Sequence, residues 1–91
     1  MRESTKIKLV KNLDVTDLAG DKVMVDFESG KYFMLKGTAA DIWNLIQNDT
    51  TVGDVKKELQ KIYDVDDTTC LSGIEGFLNQ LKENEFVTIT D

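Results

Sequence analysis

Hydrophobic spacing changes period once along this chain, and that change limits what it can fold into. Before Gly37 apolar side chains recur at every second position or in short runs, whereas after it they recur at three and four. Ile7 and Leu9 alternate with Lys8 and Val10 as a short strand. Residues 12–21 mix polar groups with Leu13, Val15 and Leu18 and read as a loop. Val23, Val25 and Phe27 share one face, with Met24 and Asp26 on the other, the signature of a half-buried strand. Glu28-Ser29-Gly30 is a turn, and Tyr32-Phe33-Met34-Leu35 returns from it, so the spacing predicts a hairpin joining 22–27 to 31–35. Beyond Gly37, Thr38 with Asp41 forms a helix-start signal ahead of Ile42, Trp43, Leu45 and Ile46. Thr51 and Asp54 repeat it ahead of Val52, Val55, Leu59 and Ile62. Asp66 or Asp67 can cap a third helix, in which Cys70, Ile74, Phe77 and Leu81 fall on one face. Phe86, Val87 and Ile89 close the chain as an extended tail or short strand. Gly20, Gly30, Gly37 and Gly53 fall near the breaks. Three strands followed by three helices give an α+β fold, with the helices on one face of a small three-stranded antiparallel sheet.

Composition removes several functions. At 91 residues the chain is the size of one domain, 1–91, in which residues 1–20 are weakly defined. Lys and Arg total 11 and Asp and Glu 17, for a net charge of −6, unsuited to a phosphate backbone. Histidine is absent, which removes the usual neutral-pH base and the commonest zinc ligand. Cys70 has no internal partner for a disulfide, which fits a reduced, cytoplasmic setting. No apolar run has the length of a membrane span, and Met1 to Lys6 lacks the apolar core of a signal peptide.

Candidate chemistry is sparse. Cys70 has no base to activate it and lies on an apolar helix stripe, so it reads as an inert buried thiol. Asp64, Asp66 and Asp67 lack the glycine and terminal glutamate of a calcium loop, and helix capping accounts for them. There is no glycine-rich phosphate loop, and Ser72 lacks the setting of a carrier-protein serine. No cofactor is implied. What the sequence does hold is surplus apolar surface. With Phe33 and Leu35 assigned to the core beside Val23, Val25 and Phe27, Tyr32 and Met34 are left over. They either pack on the N-terminal strand or the tail, or border an edge open to a peptide. Which face of the strand meets a peptide stays open, because a one-residue slip exchanges the two. On the third helix Leu71 and Leu78 widen the apolar arc, with Glu75 and Lys82 beyond them. That is either a broad core stripe, or a groove wall made of Leu71, Glu75, Leu78 and Lys82 facing the strand Lys31, Tyr32, Phe33, Met34, Leu35.

Taken in order, Gly30-Lys31-Tyr32-Phe33-Met34-Leu35, Thr38-Ala39-Ala40-Asp41-Ile42-Trp43, Thr51-Val52, Leu59, Tyr63-Asp64-Val65-Asp66, Phe77-Leu78 with Leu81, and Phe86-Val87 resemble the signature of the PqqD family over roughly residues 21 to 88. The chain departs from that pattern at Ala39-Ala40, at Lys36, and at Glu85, where glycine usually precedes the last apolar pair. The resemblance implies a winged helix-turn-helix-like domain that binds the leader of a ribosomally made precursor peptide. Such a domain presents the leader to a modifying enzyme, often a radical S-adenosylmethionine protein, or to a leader peptidase. It also implies that the leader adds as a strand against residues 31–35, beside the 71–82 face of the third helix. A winged-helix nucleic-acid binder is the alternative, and its recognition helix would carry Lys82 against Glu75 and Glu83 with no arginine. Exchange of the same open edge between two copies would give a homodimer.

Overall fold

The computed structural model describes residues 1–11, 13–18 and 21–91. Along the chain run β1 (Lys6–Leu9), β2 (Asp14–Leu18), β3 (Asp21–Asp26), β4 (Lys31–Leu35), α1 (Thr38–Leu45), β5 (Thr50–Thr51), α2 (Val52–Ile62), α3 (Asp67–Glu83) and β6 (Val87–Thr90). The α+β class, the β3–β4 hairpin and the three helices follow the sequence pattern. The strands are divided differently. β2, β3 and β4 form one antiparallel sheet in that order, and a second sheet has the order β5-β1-β6. Thus β1 does not join the hairpin; it pairs with the C-terminal strand from Lys6 opposite Thr90 to Leu9 opposite Val87.

The segment read as a loop, 12–21, contains β2. Asp14–Leu18 pairs along its whole length with β3, placing Val15 opposite Met24. A polar strand of this kind is stabilised by its neighbour more than by its own propensity. The break expected at Gly20 lies outside the described residues. β3 also faces the other way from expectation. Met24 is fully buried and Asp26 nearly so, while Val23 and Val25 are half-buried and Phe27 is 76% exposed in the turn. Val-Met-Val satisfies a period of two on either face, so spacing alone does not set the direction. The register does, by placing Met24 opposite Phe33 and Lys22 opposite Leu35 on the inner face.

Helix starts follow the predicted signals in two of three cases. The Thr51 hydroxyl accepts from the Asp54 amide at 3.2 Å, and the Asp66 carboxylate from the Thr69 amide at 2.7 Å. α1 differs: it begins after Gly37, at φ 58°, without a side-chain cap from Thr38. Asp41 instead accepts from the Tyr63 hydroxyl at 2.5 Å, tying α1 to the segment after α2. Ile62, expected on the buried stripe of α2, ends that helix 60% exposed. One core unites Ile7 and Phe86 from the β1–β6 side, Met24 and Leu35 from the hairpin, and Ile42, Val55, Ile74 and Leu78 from the helices.

Residues 1–5 lie across the helices. The carbonyl of Glu3 accepts from the Gly53 amide at 2.8 Å, and that of Thr5 from Val52 at 2.9 Å. A Cβ on Gly53 would sit 3.0 Å from the Glu3 carbonyl oxygen, so the absence of a side chain allows this approach. The Lys56 ammonium holds the Glu3 carboxylate at 2.7 Å.

The end of α3 sets up the groove described below. The Phe86 amide donates to Leu81 at 2.9 Å and the Glu85 amide to Lys82 at 3.0 Å, the paired bonds of a Schellman motif. Glu85 occupies its left-handed position at φ 63°, where glycine is preferred. Relief of that backbone strain outweighs glycine's added freedom in the unfolded chain. Glu85→Gly is therefore expected to stabilise the domain by up to about 1 kcal/mol, a rise in Tm of a few degrees. A thermal melt followed by circular dichroism measures it, and a fall in Tm would show that the Glu85 side chain contributes more than its backbone costs.

Candidate functional site

Two apolar elements flank a groove of about 500 Å³. One wall is β4, contributing Tyr32, Phe33, Met34 and Leu35. The other is the C-terminal half of α3, contributing Phe77, Gln80 and Leu81, with Asn84 at its C-cap, and Met24 and Phe86 also line it. The Schellman motif brings Phe86 back beneath α3, where it meets Phe33 edge to face with ring centroids 5.5 Å apart. Among the described residues no strand pairs with the outer side of β4, so that edge keeps unpaired main-chain donors and acceptors. A concavity of similar volume over Lys6, Lys8, Thr50 and Thr88 lies on the other sheet and lacks both an aromatic lining and the β4 edge.

The structure therefore gathers part of the site read from the sequence. Tyr32, Phe33, Met34 and Leu35 border the groove. Lys31 lies one step along, in a polar recess with Lys11, Asp26, Glu28, Glu83 and Glu85 that shares Glu83 and Asn84 with the groove. Leu71, Glu75, Leu78 and Lys82 are not among its lining residues. Leu78 is fully buried, Leu71 packs half-buried against the core, and Lys82 is exposed. Glu75 faces the start of the chain, 3.6 Å from the amino group of Met1. The apolar stripe of α3 has two flanks. The N-terminal segment takes the one expected to face the peptide, and β4 stands beside the other. Phe77, read as core, is only half-buried and forms the helical wall, while Leu81 is buried in the core as read and lines the groove from beneath.

An ionic latch closes one end. Lys11 Nζ lies 3.0 Å from Asp26 and 3.1 Å from Glu28, and 5.7 Å from the Phe86 ring centroid. The buried Asp26 carboxylate also accepts from the Ser29 hydroxyl at 2.8 Å. That hydroxyl, then Lys11, holds the Asp26 pKa below the ordinary value, and Asp26 chiefly raises that of Lys11. The latch joins the segment that follows β1, the hairpin turn and the floor of the groove.

Elsewhere the titratable groups have structural partners. Cys70 is buried and its thiol is pushed up by burial, so it stays protonated at neutral pH. Asp66 caps α3, and Asp67 accepts from Gln60 at 2.7 Å. Among the described residues no group of three or more His, Cys, Asp or Glu side chains is placed to hold a metal ion. No helix among them is long and apolar enough to cross a membrane.

An open strand edge beside an apolar groove, carried on a small α+β scaffold with a winged-helix-like arrangement, defines a domain suited to holding an extended segment. The chain belongs to the PqqD family: the family model described as coenzyme PQQ synthesis protein D matches residues 21–87. No curated protein matches the chain. Among solved structures it is similar to TbiB1 in complex with the TbiA(beta) leader peptide, with a TM-score of 0.78 and 21% identity over 88% of this chain and 93% of that one. At that identity the likeness is one of fold.

Because the folded pKa of Asp26 is lowered, the stability it contributes is complete above the ordinary aspartate value, near 3.8, and is lost as pH falls through the lower folded value. Asp26→Asn should therefore be less stable than the parent at neutral pH and lose less on further acidification. Unfolding midpoints measured from pH 6 down to the acid limit test this, and parallel pH profiles would remove Asp26 from the acid response.

Proposed function

We propose that this chain is a non-catalytic peptide-binding domain. It recognises the leader of a ribosomally synthesised precursor peptide and presents it to a modifying enzyme or a leader peptidase. The observation that carries this reading is the unpaired edge of β4 beside the apolar groove. A peptide laid along β4 gains main-chain hydrogen bonds from the strand and buries side chains against Phe77, Leu81 and Phe86. Burial of about 300 Å² of apolar surface would contribute roughly 7 kcal/mol before ordering costs, a scale compatible with micromolar binding. Family membership supports the reading, as does the leader peptide held by TbiB1, a protein of the same fold. A radical S-adenosylmethionine enzyme or a peptidase is the class of partner that would receive the peptide. Nucleic-acid binding is disfavoured by α3 itself, which carries Lys82 against Asp67, Glu75 and Glu83. Exchange of β4 edges between copies would compete for the same edge, and sedimentation at rising concentration separates it from peptide binding.

The test is an NMR titration with a synthetic extended peptide carrying a precursor leader sequence. Amide shifts should cluster on residues 31–35 and 77–84. Phe77→Asp should weaken binding at least about tenfold with the helical circular dichroism signal retained, since truncating or charging a central apolar contact costs more than about 1.4 kcal/mol. Leu78→Asp should unfold the domain, since it places a charge in the sealed core. Shifts confined to the β1–β6 sheet, or unaltered affinity in Phe77→Asp, would overturn the proposal.

A further inference from the structure

Resting on the peptide-binding reading, we infer that the segment this domain binds is apolar on both faces: a run of consecutive apolar residues, not an alternating strand. The register of the sheet fixes two rows on its outer face. One runs Asp14, Val25, Tyr32 from β2 to β4, and the other Thr16, Val23, Met34. In both rows the β2 member is polar and the β3 and β4 members are apolar. A sheet with one face in water ordinarily carries polar residues there. Here the polarity ends before the open edge, where Tyr32 and Met34 stand 73% and 53% exposed. The inner row at that edge is apolar too, with Phe33 half-buried and Leu35 buried. β4 therefore offers apolar neighbours on both sides of the pleat, between Lys31 and Lys36.

A strand paired with β4 must place its side chains alternately on these two sides. Every second one enters the groove against Phe77 and Leu81. The intervening ones lie beside Tyr32 and Met34 as cross-strand neighbours, the arrangement that stabilises paired strands. A polar residue in those outer positions would forgo that contact and leave both side chains in water. The occupant of the outer surface is thus the peptide itself. A second copy or a separate protein is a poorer fit. Val23, Val25, Phe27, Tyr32 and Met34 together offer on the order of 400 Å², about half of the ~800 Å² per partner in a stable interface.

The test is a selection from a display library of short random peptides against the parent and against Tyr32→Thr/Met34→Thr. Threonine keeps strand propensity while removing the outer apolar contacts. The parent should enrich peptides with about four consecutive apolar residues, the length of its own Tyr32–Leu35 run. The variant should enrich alternating sequences. A parent-selected peptide should bind the variant about twofold to thirtyfold more weakly, the sum of two lost cross-strand contacts. If the double variant is unstable, Tyr32→Thr alone reads the same loss at about half the logarithmic size. Enrichment of alternating peptides by the parent, with equal affinity for parent and variant, would overturn the inference and assign the outer patch to a protein partner. Phe77→Asp separates the two levels of argument. If it abolishes binding of those alternating peptides, the groove reading stands without this inference; if it leaves binding of the selected peptides intact, both readings fall.

Discussion

Pairing between β1 and β6 is the constraint on which the architecture depends. It joins residues 6–9 to 87–90 and places both near-terminal segments in a sheet separate from the hairpin. An edge strand is ordinarily covered by whatever chain lies within reach. Here residues 87–90 are held by β1, and the segment 1–5 is bonded to Gly53, Val52 and Lys56. Among the described residues, the edge of β4 is left open as a result of where the other strands find partners.

The β2-β3-β4 sheet meets the helices through few side chains, and these also form the groove. Met24 and Leu35 enter the core from the inner face of the hairpin. Phe33 reaches Phe86, and Phe86 is placed by the two hydrogen bonds that end α3. Lys11 then binds Asp26 at the other end of the hairpin while lying over the same ring. The residues that attach the hairpin are thus continuous with the floor of the candidate site, so packing strain in either would be felt in the other.

Much of this was legible in the sequence for identifiable reasons. The hairpin was legible because Gly30 and the flanking apolar runs are short-range signals. The starts of α2 and α3 were legible because Thr51 and Asp66 cap them locally. β2 was not, since Asp14, Thr16 and Asp17 carry no apolar alternation and their strand is stabilised by β3. The inward face of β3 was not, because Met24 and its valine neighbours are equally apolar and only the register with β4 separates them. On α3 the helical wheel gave a broad apolar stripe, widened by Leu71 and Leu78 on one side only, and the groove wall was placed on that side. That the start of the chain meets this side at Glu75, while β4 stands beside Phe77, is set by contacts between residues far apart in sequence and has no local signal. Glu85 was visible as a departure from the family pattern, and the left-handed backbone there gives the physical content of that departure.

The balance of forces along β4 explains why an open edge needs the groove beside it. Ordering five peptide residues costs about 5–10 kcal/mol of backbone entropy. Strand pairing over that length adds a handful of main-chain bonds, each worth about 1 kcal/mol net of water. Pairing alone therefore leaves an extended peptide unbound or nearly so, whatever its sequence. The deficit has to come from apolar burial of the peptide's own side chains in the groove, where Phe77 is the partly exposed helical contact over a floor of buried Leu81 and Phe86. Main-chain bonds hold a guest strand against β4 without distinguishing one sequence or register from another. Selectivity in this fold accordingly resides in the side chains lining the groove and its rim.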